Sequence, residues 1–168
     1  MSEIKTKLKK AYFPLEISEK LESFLTRYPK NQRRSAVIAG LHVLQDYNSG
    51  YLTTELMERL SYFLDIPLSS VYEVATFYSM YQLKPVGRHK VNVCNNISCL
   101  LKGSKEIIRY IEKKLCITIG KTTADGRITL QSVECQGACC GAPMLEVDKV
   151  FHENLTIDKV DEILDNLE

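Results

Sequence analysis

The most informative stretch of the chain is KVNVCNNISCLLKGSKEIIRYIEKKLC, residues 90–116. Alternating apolar residues at its start predict a short β-strand that runs into Cys94. Beyond Cys99, apolar residues recur at helical spacing and predict a helix, for which Ser104 is the expected cap. The stretch therefore predicts a strand followed by a helix, with a cysteine where the strand meets the loop.

The sequence beyond this helix continues the alternation of strands and helices. Residues 117–126 are rich in turn formers. A strand is predicted in RITLQSVEC, residues 127–135, and a pair of strands in MLEVDKVFHE, residues 144–153. A last helix is expected from Ile157, capped by Thr156. This order predicts a four-stranded sheet with helices packed on it.

The first 93 residues differ in composition from the rest of the chain. They contain none of the six cysteines but twelve of the fourteen aromatic residues. We therefore predict an α+β protein of two domains: a small helical bundle in residues 1–83, with residues 1–16 as a flexible arm, and a sheet domain in residues 84–168. The basic, turn-forming sequence QLKPVGRHK, residues 82–90, is the expected linker.

Four amphipathic helices are predicted in the first domain. They are residues 19–28 with Ser18 as cap, residues 35–47, residues 53–64 ended by Ile66-Pro67, and a helix from Ser70 with Glu73 in a capping box. The last helix is predicted to continue through VATFYSMYQL, residues 74–83, which is apolar or aromatic on nearly every side. Such a helix is either buried all round or meets a partner protein on one face.

Charge and hydropathy exclude two broad classes of function. The 22 Lys and Arg residues nearly balance the 21 Asp and Glu residues, so no nucleic-acid partner is expected. No apolar run approaches the roughly 20 residues of a membrane-spanning helix, and the basic start of the chain lacks the apolar stretch of a secretory signal. We expect a cytosolic protein, in which thiols stay reduced and serve metal or redox chemistry.

Four of the cysteines form two spaced pairs. Cys94-x4-Cys99 and Cys135-x3-Cys139 both lie where a predicted strand runs into a loop. Four thiolates from two loops can bind one zinc ion or a two-iron cluster. Spacing alone does not decide between Cys139 and its neighbour Cys140 as the ligand. Cys116, at a helix end, is expected to pack as a small hydrophobic side chain.

Three longer segments resemble a known family: VYEVATFYSMYQLKPVGRHKVNVCNNISCLLKGS (71–104), VECQGACCGAPML (133–145) and ENLTIDKVDEIL (153–164). They resemble the 24-kDa subunit family of respiratory NADH–quinone oxidoreductase. The resemblance implies a thioredoxin-like ferredoxin domain behind a helical domain. It also implies one [2Fe–2S] cluster held by Cys94, Cys99, Cys135 and Cys139, and so favours Cys139 over Cys140.

The resemblance implies an electron-transfer subunit of an NADH dehydrogenase of the respiratory chain, with no complete active site on this chain. FMN and NADH are expected on a partner, the flavin- and NADH-binding subunit, and the large iron–sulfur subunit is a second expected partner. Residues 74–83 are the predicted docking surface. Through these partners the chain would lie on the inner, cytoplasmic face of the cell membrane without inserting into it.

The surroundings of the cluster follow from its charge. A reduced cluster on four thiolates is strongly negative and needs donors around it. We expect the backbone N–H groups near Gly103 and of residues 136–138 to donate to sulfur, together with the positive end of the helix near Ser104. Lys102 is expected to be a solvated charge.

Two other functions stay open. Equivalent subunits of soluble NAD-linked hydrogenases and formate dehydrogenases share the motif. A zinc-stapled interaction module would use the same four thiolates without a redox role, although zinc sites favour tighter C-x2-C spacing.

Overall fold

The computed structural model describes residues 13–168, and the chain forms two compact units that divide between Pro85 and Val86. Most of the predicted arm, residues 1–16, lies outside the described residues. Its end belongs to the first unit, since Phe13 is buried and the first helix begins at Leu15. The two independent domains predicted from the sequence, with a boundary after residue 83, stay a prediction.

The described part of the first unit contains four α-helices and a 3-10 turn. They are α1 (Leu15–Leu25), the turn Arg33–Ala36, α2 (Val37–Tyr47), α3 (Thr54–Leu64) and α4 (Leu68–Phe77). Their apolar faces enclose one core, in which Leu41, Leu44 and Leu60 are fully buried. The predicted bundle of short amphipathic helices is confirmed.

The helix starts were predicted correctly only where a side chain caps them. Thr53 caps α3, its hydroxyl accepting from the Leu56 N–H at 3.2 Å. The predicted caps Ser18 and Ser70 are wrong, because both lie inside helices that begin after a proline, Pro14 for α1 and Pro67 for α4. A proline pre-sets φ at a helix start and lacks the N–H that would go unpaired there.

The predicted helix through residues 74–83 is also too long. Helix α4 ends at Phe77, and the backbone of Tyr78 is extended. The buried Gln45 side chain captures the segment that follows, donating to the Met80 carbonyl at 3.1 Å and accepting from the Gln82 N–H at 2.7 Å. These two bonds replace the helical ones, and sequence periodicity does not reveal them.

The described part of the second unit contains four strands and three α-helices. They are β1 (His89–Cys94), α5 (Ile97–Leu101), α6 (Ser104–Leu115), β2 (Ile128–Val133), β3 (Leu145–Val147), β4 (Val150–His152) and α7 (Ile157–Asp165), with a 3-10 turn at Cys139–Gly141. The sheet order is β2-β1-β3-β4. Strand β1 is parallel to β2 and antiparallel to β3, and β3 is antiparallel to β4. The predicted four-stranded sheet is confirmed.

Helices α6 and α7 bury their apolar stripes with the sheet. Ile107, Ile111 and Val160 share one core with the strand residues Val91 and Leu130. Thr156 caps α7 as predicted, accepting from the Lys159 N–H at 3.2 Å. Since α6 connects two parallel strands, it runs from the carboxyl end of β1 back toward the start of β2.

Candidate metal centre

The parallel pairing of β1 and β2 brings two cysteine loops to one edge of the sheet. Cys94, the last residue of β1, stands opposite Val133, the last residue of β2. The Asn95 N–H donates to the Val133 carbonyl at 3.0 Å and extends this pairing beyond both strands. Cys135 follows two residues after Val133, so both loops begin at the carboxyl edge of the sheet.

Cys94 lies between the end of β2 and the start of β3. Its thiol lies 3.5 Å from the Glu134 carbonyl oxygen, and its N–H donates to the Met144 carbonyl at 3.2 Å. Cys94 and Met144 are both buried. The backbone on either side of Cys94 is thus fixed by two neighbouring strands, and its sulfur has little freedom to move.

A short helix turns Cys99 toward Cys94. Asn96 caps α5 with its side-chain oxygen, and within this single turn Cys99 is 1% exposed while Leu101 is 82% exposed. Burial and a hydrogen bond with Cys94 raise the pKa of the Cys99 thiol to about 11, against a hydrogen bond from the Met144 backbone that lowers it. The thiol therefore keeps its proton until a metal displaces it.

The third and fourth candidate ligands lie on the loop after β2. Cys135 and Cys139 are both exposed, and Gly137 between them adopts φ +78°, a conformation that favours glycine. Cys139 is near enough to Cys99 that its charge also raises the pKa of Cys99. The backbone N–H groups of residues 136–138 donate to no protein acceptor within residues 13–168.

The structure therefore pairs the Cys94 and Cys99 thiols, brings Cys139 near enough to influence Cys99, and places Cys135 on the same loop as Cys139. Between residues 13 and 168, no three His, Cys, Asp or Glu side chains are grouped closely enough to hold one metal ion. The assignment of the four thiols as joint ligands stays a prediction.

The two remaining cysteines are both exposed. Cys140 follows Cys139 in the 3-10 turn. Cys116 ends α6 in the left-handed conformation, with φ 53° and its thiol 3.7 Å from the Lys113 carbonyl oxygen. The expectation that Cys116 packs as a small hydrophobic side chain is wrong. Its backbone position at the helix end keeps the side chain in solvent.

Two expectations about the surroundings of the cysteines are also corrected. Of the N–H groups expected near Gly103 as donors to sulfur, that of Gly103 itself already donates to the Leu100 carbonyl at 3.1 Å, and the expectation for its neighbours stays a prediction. Ser104 is not the cap of α6: Gly103 holds that position with φ +96°, and no side chain bonds there. Sequence reasoning also missed Met144, whose backbone bonds to both Cys94 and Cys99. Only the register of β3 on β1 reveals that contact.

Comparison with known proteins identifies the family. The family model of the thioredoxin-like [2Fe–2S] ferredoxin matches residues 21–168. The chain belongs to this family. The match includes most of the described helical unit and the whole sheet unit.

Curated relatives extend the likeness to nearly the whole chain. A subunit of the NADH-quinone oxidoreductase of Rickettsia conorii is 39% identical over 147 residues, which cover 88% of each chain. The mitochondrial NADH dehydrogenase [ubiquinone] flavoprotein 2 of Dictyostelium discoideum is 38% identical over 155 residues, covering 92% of this chain and 63% of that protein. The predicted resemblance to a subunit of this oxidoreductase is confirmed.

Solved structures share the fold at lower identity. The NAD+-reducing [NiFe]-hydrogenase in its air-oxidized state matches with a TM-score of 0.69 and 20% identity, over 83% of this chain. The H2-reduced state matches with a TM-score of 0.66. This chain spans about a quarter of those hydrogenase chains. The described helices include none that is both long and apolar enough to cross a membrane.

The residues at the cysteine edge fit an iron–sulfur cluster by their chemistry. Thiolates are the usual ligands of such clusters, and two of the four thiols are already paired in a buried, apolar setting with Met144. The free N–H groups of residues 136–138 and the Met144 backbone are donors of the kind that stabilise charged sulfur.

Proposed function

We propose that this chain is the electron-transfer subunit of an NADH–quinone oxidoreductase and holds one [2Fe–2S] cluster on Cys94, Cys99, Cys135 and Cys139. The observation that carries the proposal is the convergence of two cysteine loops at the carboxyl edge of β1 and β2. Its context is a family of thioredoxin-like [2Fe–2S] ferredoxins and relatives that are subunits of this oxidoreductase.

The cluster supplies one-electron redox chemistry when it is bound. The chain itself provides a rigid half and an open half of the site. Cys94 and Cys99 are buried and fixed by strand pairing and by α5, while Cys135 and Cys139 lie on an exposed loop. The buried half fixes the position of the cofactor, and the exposed half leaves one side open toward a partner.

FMN and NADH belong to a partner subunit in this proposal. The sequence contains no G-x-G-x-x-G nucleotide loop. The chain receives or returns electrons one at a time through contact with the flavin- and NADH-binding subunit, and the large iron–sulfur subunit is its second neighbour. It is held at the cytoplasmic face of the membrane by these partners.

Exposed apolar residues at and after the end of α4 are the proposed docking surface for these subunits. Phe77 is 79% exposed, and Tyr78, Met80 and Leu83 are each more than one third exposed. The bonds of Gln45 hold this segment in a fixed shape, so its apolar side chains are presented without a large ordering cost.

The proposal is tested by co-expressing the full chain with the flavin- and NADH-binding subunit of its own organism. We expect a stable complex in which NADH reduces the cluster, seen as bleaching of the visible absorbance and a new EPR signal. The variant Phe77→Ala should weaken the complex while the isolated chain keeps its cluster. A complex that binds NADH but never reduces this chain would contradict the proposed electron transfer.

An alternative partner is the NAD-linked hydrogenase or formate dehydrogenase, since the solved hydrogenase shares this fold. The same co-expression experiment with such subunits distinguishes the two. Preferred assembly with hydrogenase or formate dehydrogenase subunits would move the chain to those enzymes. One zinc ion per chain and no visible absorbance would instead favour a structural module.

A further inference from the structure

Ser104 has a buried hydroxyl group that the fold leaves unused. The residue is 0% exposed, and its Oγ has no hydrogen-bond partner among residues 13–168. Buried polar atoms are nearly always paired in native proteins, so each exception points to a missing water, ion or ligand. Ser104 does not serve the helix either, because Gly103 is the N-cap of α6 and no side chain bonds there.

The fold places Ser104 at the cysteine edge of the sheet. Ser104 is the first residue of α6, on the same buried stripe as Ile107, Ile108 and Ile111, which pack with the strands. Because α6 follows β1 and runs back toward the start of β2, its first residues lie toward the carboxyl end of β1, which is the end that carries Cys94. Cys99 is five residues before Ser104 and is equally buried.

The N-terminal end of α6 also favours a negatively charged group beside Ser104. Helix α6 has twelve residues, and the free N–H groups of its first turn carry partial positive charge. An anionic group at this end is stabilised by the helix and by any hydroxyl that points toward it. A cluster on four thiolates is such a group, and it gains one negative charge on reduction.

We propose that the Ser104 hydroxyl donates a hydrogen bond to a sulfur atom of the bound [2Fe–2S] cluster, an inorganic sulfide or a cysteine thiolate, and so raises its reduction potential. This rests on the proposed function. Ser104 is then a positioning residue that stabilises the reduced state more than the oxidised state, because the added charge strengthens the hydrogen bond.

The test is a redox titration of the full-length chain followed by EPR. In Ser104→Ala, the ratio of reduced to oxidised cluster at a fixed potential should fall by about threefold to tenfold, the order expected for the net contribution of one ordinary hydrogen bond. For a one-electron couple this corresponds to a potential lower by roughly 30 to 60 mV. Ser104→Thr, which keeps the hydroxyl, should stay near the parent value.

A second pair of variants separates the hydroxyl from packing. Ser104→Thr and Ser104→Val have nearly the same shape, and only the threonine can donate. We expect the potential of the valine variant to be lower than that of the threonine variant. If alanine and valine variants lose the cluster while the threonine variant keeps it, the hydroxyl is again required. Equal potentials for threonine and valine, or loss of the cluster in both, would overturn the proposal.

A matched control and a spectroscopic readout complete the test. Ser61 is also a buried helical serine, but its hydroxyl donates to the Glu58 carbonyl at 2.7 Å, so Ser61→Ala should leave the potential unchanged. Resonance Raman bands of the Fe–S bonds should shift less between H2O and D2O in Ser104→Ala than in the parent. An unchanged potential in Ser104→Ala would mean that the hydroxyl bonds to water and not to the cluster, and would overturn the proposal.

The two proposals fail in different ways. A parent chain that assembles no [2Fe–2S] cluster refutes the proposed function. A parent chain with the cluster, but with the same potential in every Ser104 variant, refutes only the role of Ser104.

Discussion

The two units of this chain differ in how completely their buried polar groups are paired. In the helical unit, Gln45 uses both ends of its amide and the buried Tyr81 donates to the Ile38 carbonyl at 2.9 Å. In the sheet unit, Asn92, Ser104 and Arg127 each keep one buried atom without a hydrogen-bond partner, and these are the only such atoms within residues 13–168. All six free thiols also lie in the sheet unit.

This difference is the one expected if the sheet unit binds the proposed cluster and the helical unit binds no cofactor. In the described helical unit, buried polar side chains find their partners within the unit itself. A sheet unit that collects buried thiols and an unpaired hydroxyl at one edge gains partners only when a ligand arrives there. Substitutions in each unit test whether this difference in polar pairing holds.

The largest effect is expected from the four candidate ligands. Changing any one of Cys94, Cys99, Cys135 and Cys139 to serine should abolish or strongly perturb the cluster, because a thiolate is replaced by a poorer ligand for iron. Visible absorbance, iron content and EPR of each full-length variant measure the loss.

The exposed cysteines supply matched controls for this series. Cys116→Ser and Cys140→Ser should leave the spectrum nearly intact, since neither thiol belongs to the proposed set. A normal spectrum in Cys139→Ser together with loss in Cys140→Ser would transfer the ligand role to Cys140.

A cavity in the helical unit should affect stability but not the cofactor. Leu60 is fully buried, so Leu60→Ala should lower the free energy of unfolding by about 2–5 kcal/mol. Urea unfolding followed by far-UV circular dichroism measures this value, and the iron content per chain should not change. Leu15→Ala, at a leucine that is 75% exposed in the same unit, is the control and should have little effect. A lower iron content in Leu60→Ala would show that cluster binding depends on the packing of the helical unit.

Removing the Gln45 amide should break the complete pairing of the helical unit. In Gln45→Leu the Met80 carbonyl and the Gln82 N–H lose their partner, at a cost of about 1–3 kcal/mol. The shift of the urea midpoint measures the cost. Ser104→Ala differs directly from this change, because the Ser104 hydroxyl has no hydrogen-bond partner within residues 13–168 that its removal would leave unpaired. If the Gln45→Leu variant is as stable as the parent chain, the hydrogen bonds of Gln45 do not contribute to stability, and the proposed difference between the two units is wrong.

The smallest effect is expected at an exposed charge cluster between α6 and α7. Hydrogen bonds from Lys114 and then Tyr110 hold the pKa of Asp161 below its ordinary value of 3.8. A lowered folded-state pKa contributes stability above the ordinary value, and this contribution is lost as the pH falls through the folded value. Asp161→Asn should therefore be less stable than the parent at pH 7.

The decisive observation is how the stability difference between Asp161→Asn and the parent chain depends on pH. The gap in urea midpoint between Asp161→Asn and the parent chain should narrow as the pH falls below 3.8. Added salt should also narrow it at pH 7, because the carboxylate is partly exposed to solvent. A gap that stays constant with pH would mean that packing, not charge, sets the effect.

The order of strands and helices in the sheet unit was readable from the sequence because local signals were strong there. Alternating apolar residues marked the strands, and Thr156 marked the start of α7 through its side-chain bond, as Thr53 did for α3 in the helical unit. Helices that begin after Pro14 and Pro67 were placed too late, since the nearby serines imitate caps. The short helix α5 was missed because five residues carry no periodic signal.

The candidate site was readable only in part. The spacing of cysteines and their position at strand ends indicated a metal or cluster site, and the family resemblance added the choice of Cys139. Two features depended on tertiary structure instead: the contacts of Met144 with Cys94 and Cys99, and the buried Ser104 hydroxyl that has no hydrogen-bond partner within residues 13–168. Both follow from the packing of distant segments, which a local pattern does not encode. The bond from the Gly103 N–H to the Leu100 carbonyl is local, but it forms at the end of the short helix α5, which carries no periodic signal.

The most direct test of the central claim is iron and acid-labile sulfide analysis of the anaerobically purified full chain, with EPR before and after reduction. We expect two irons and two sulfides per chain, no EPR signal in the oxidised protein and a spin-half EPR signal after reduction. One zinc ion per chain and no EPR signal, in protein never exposed to air, would contradict it.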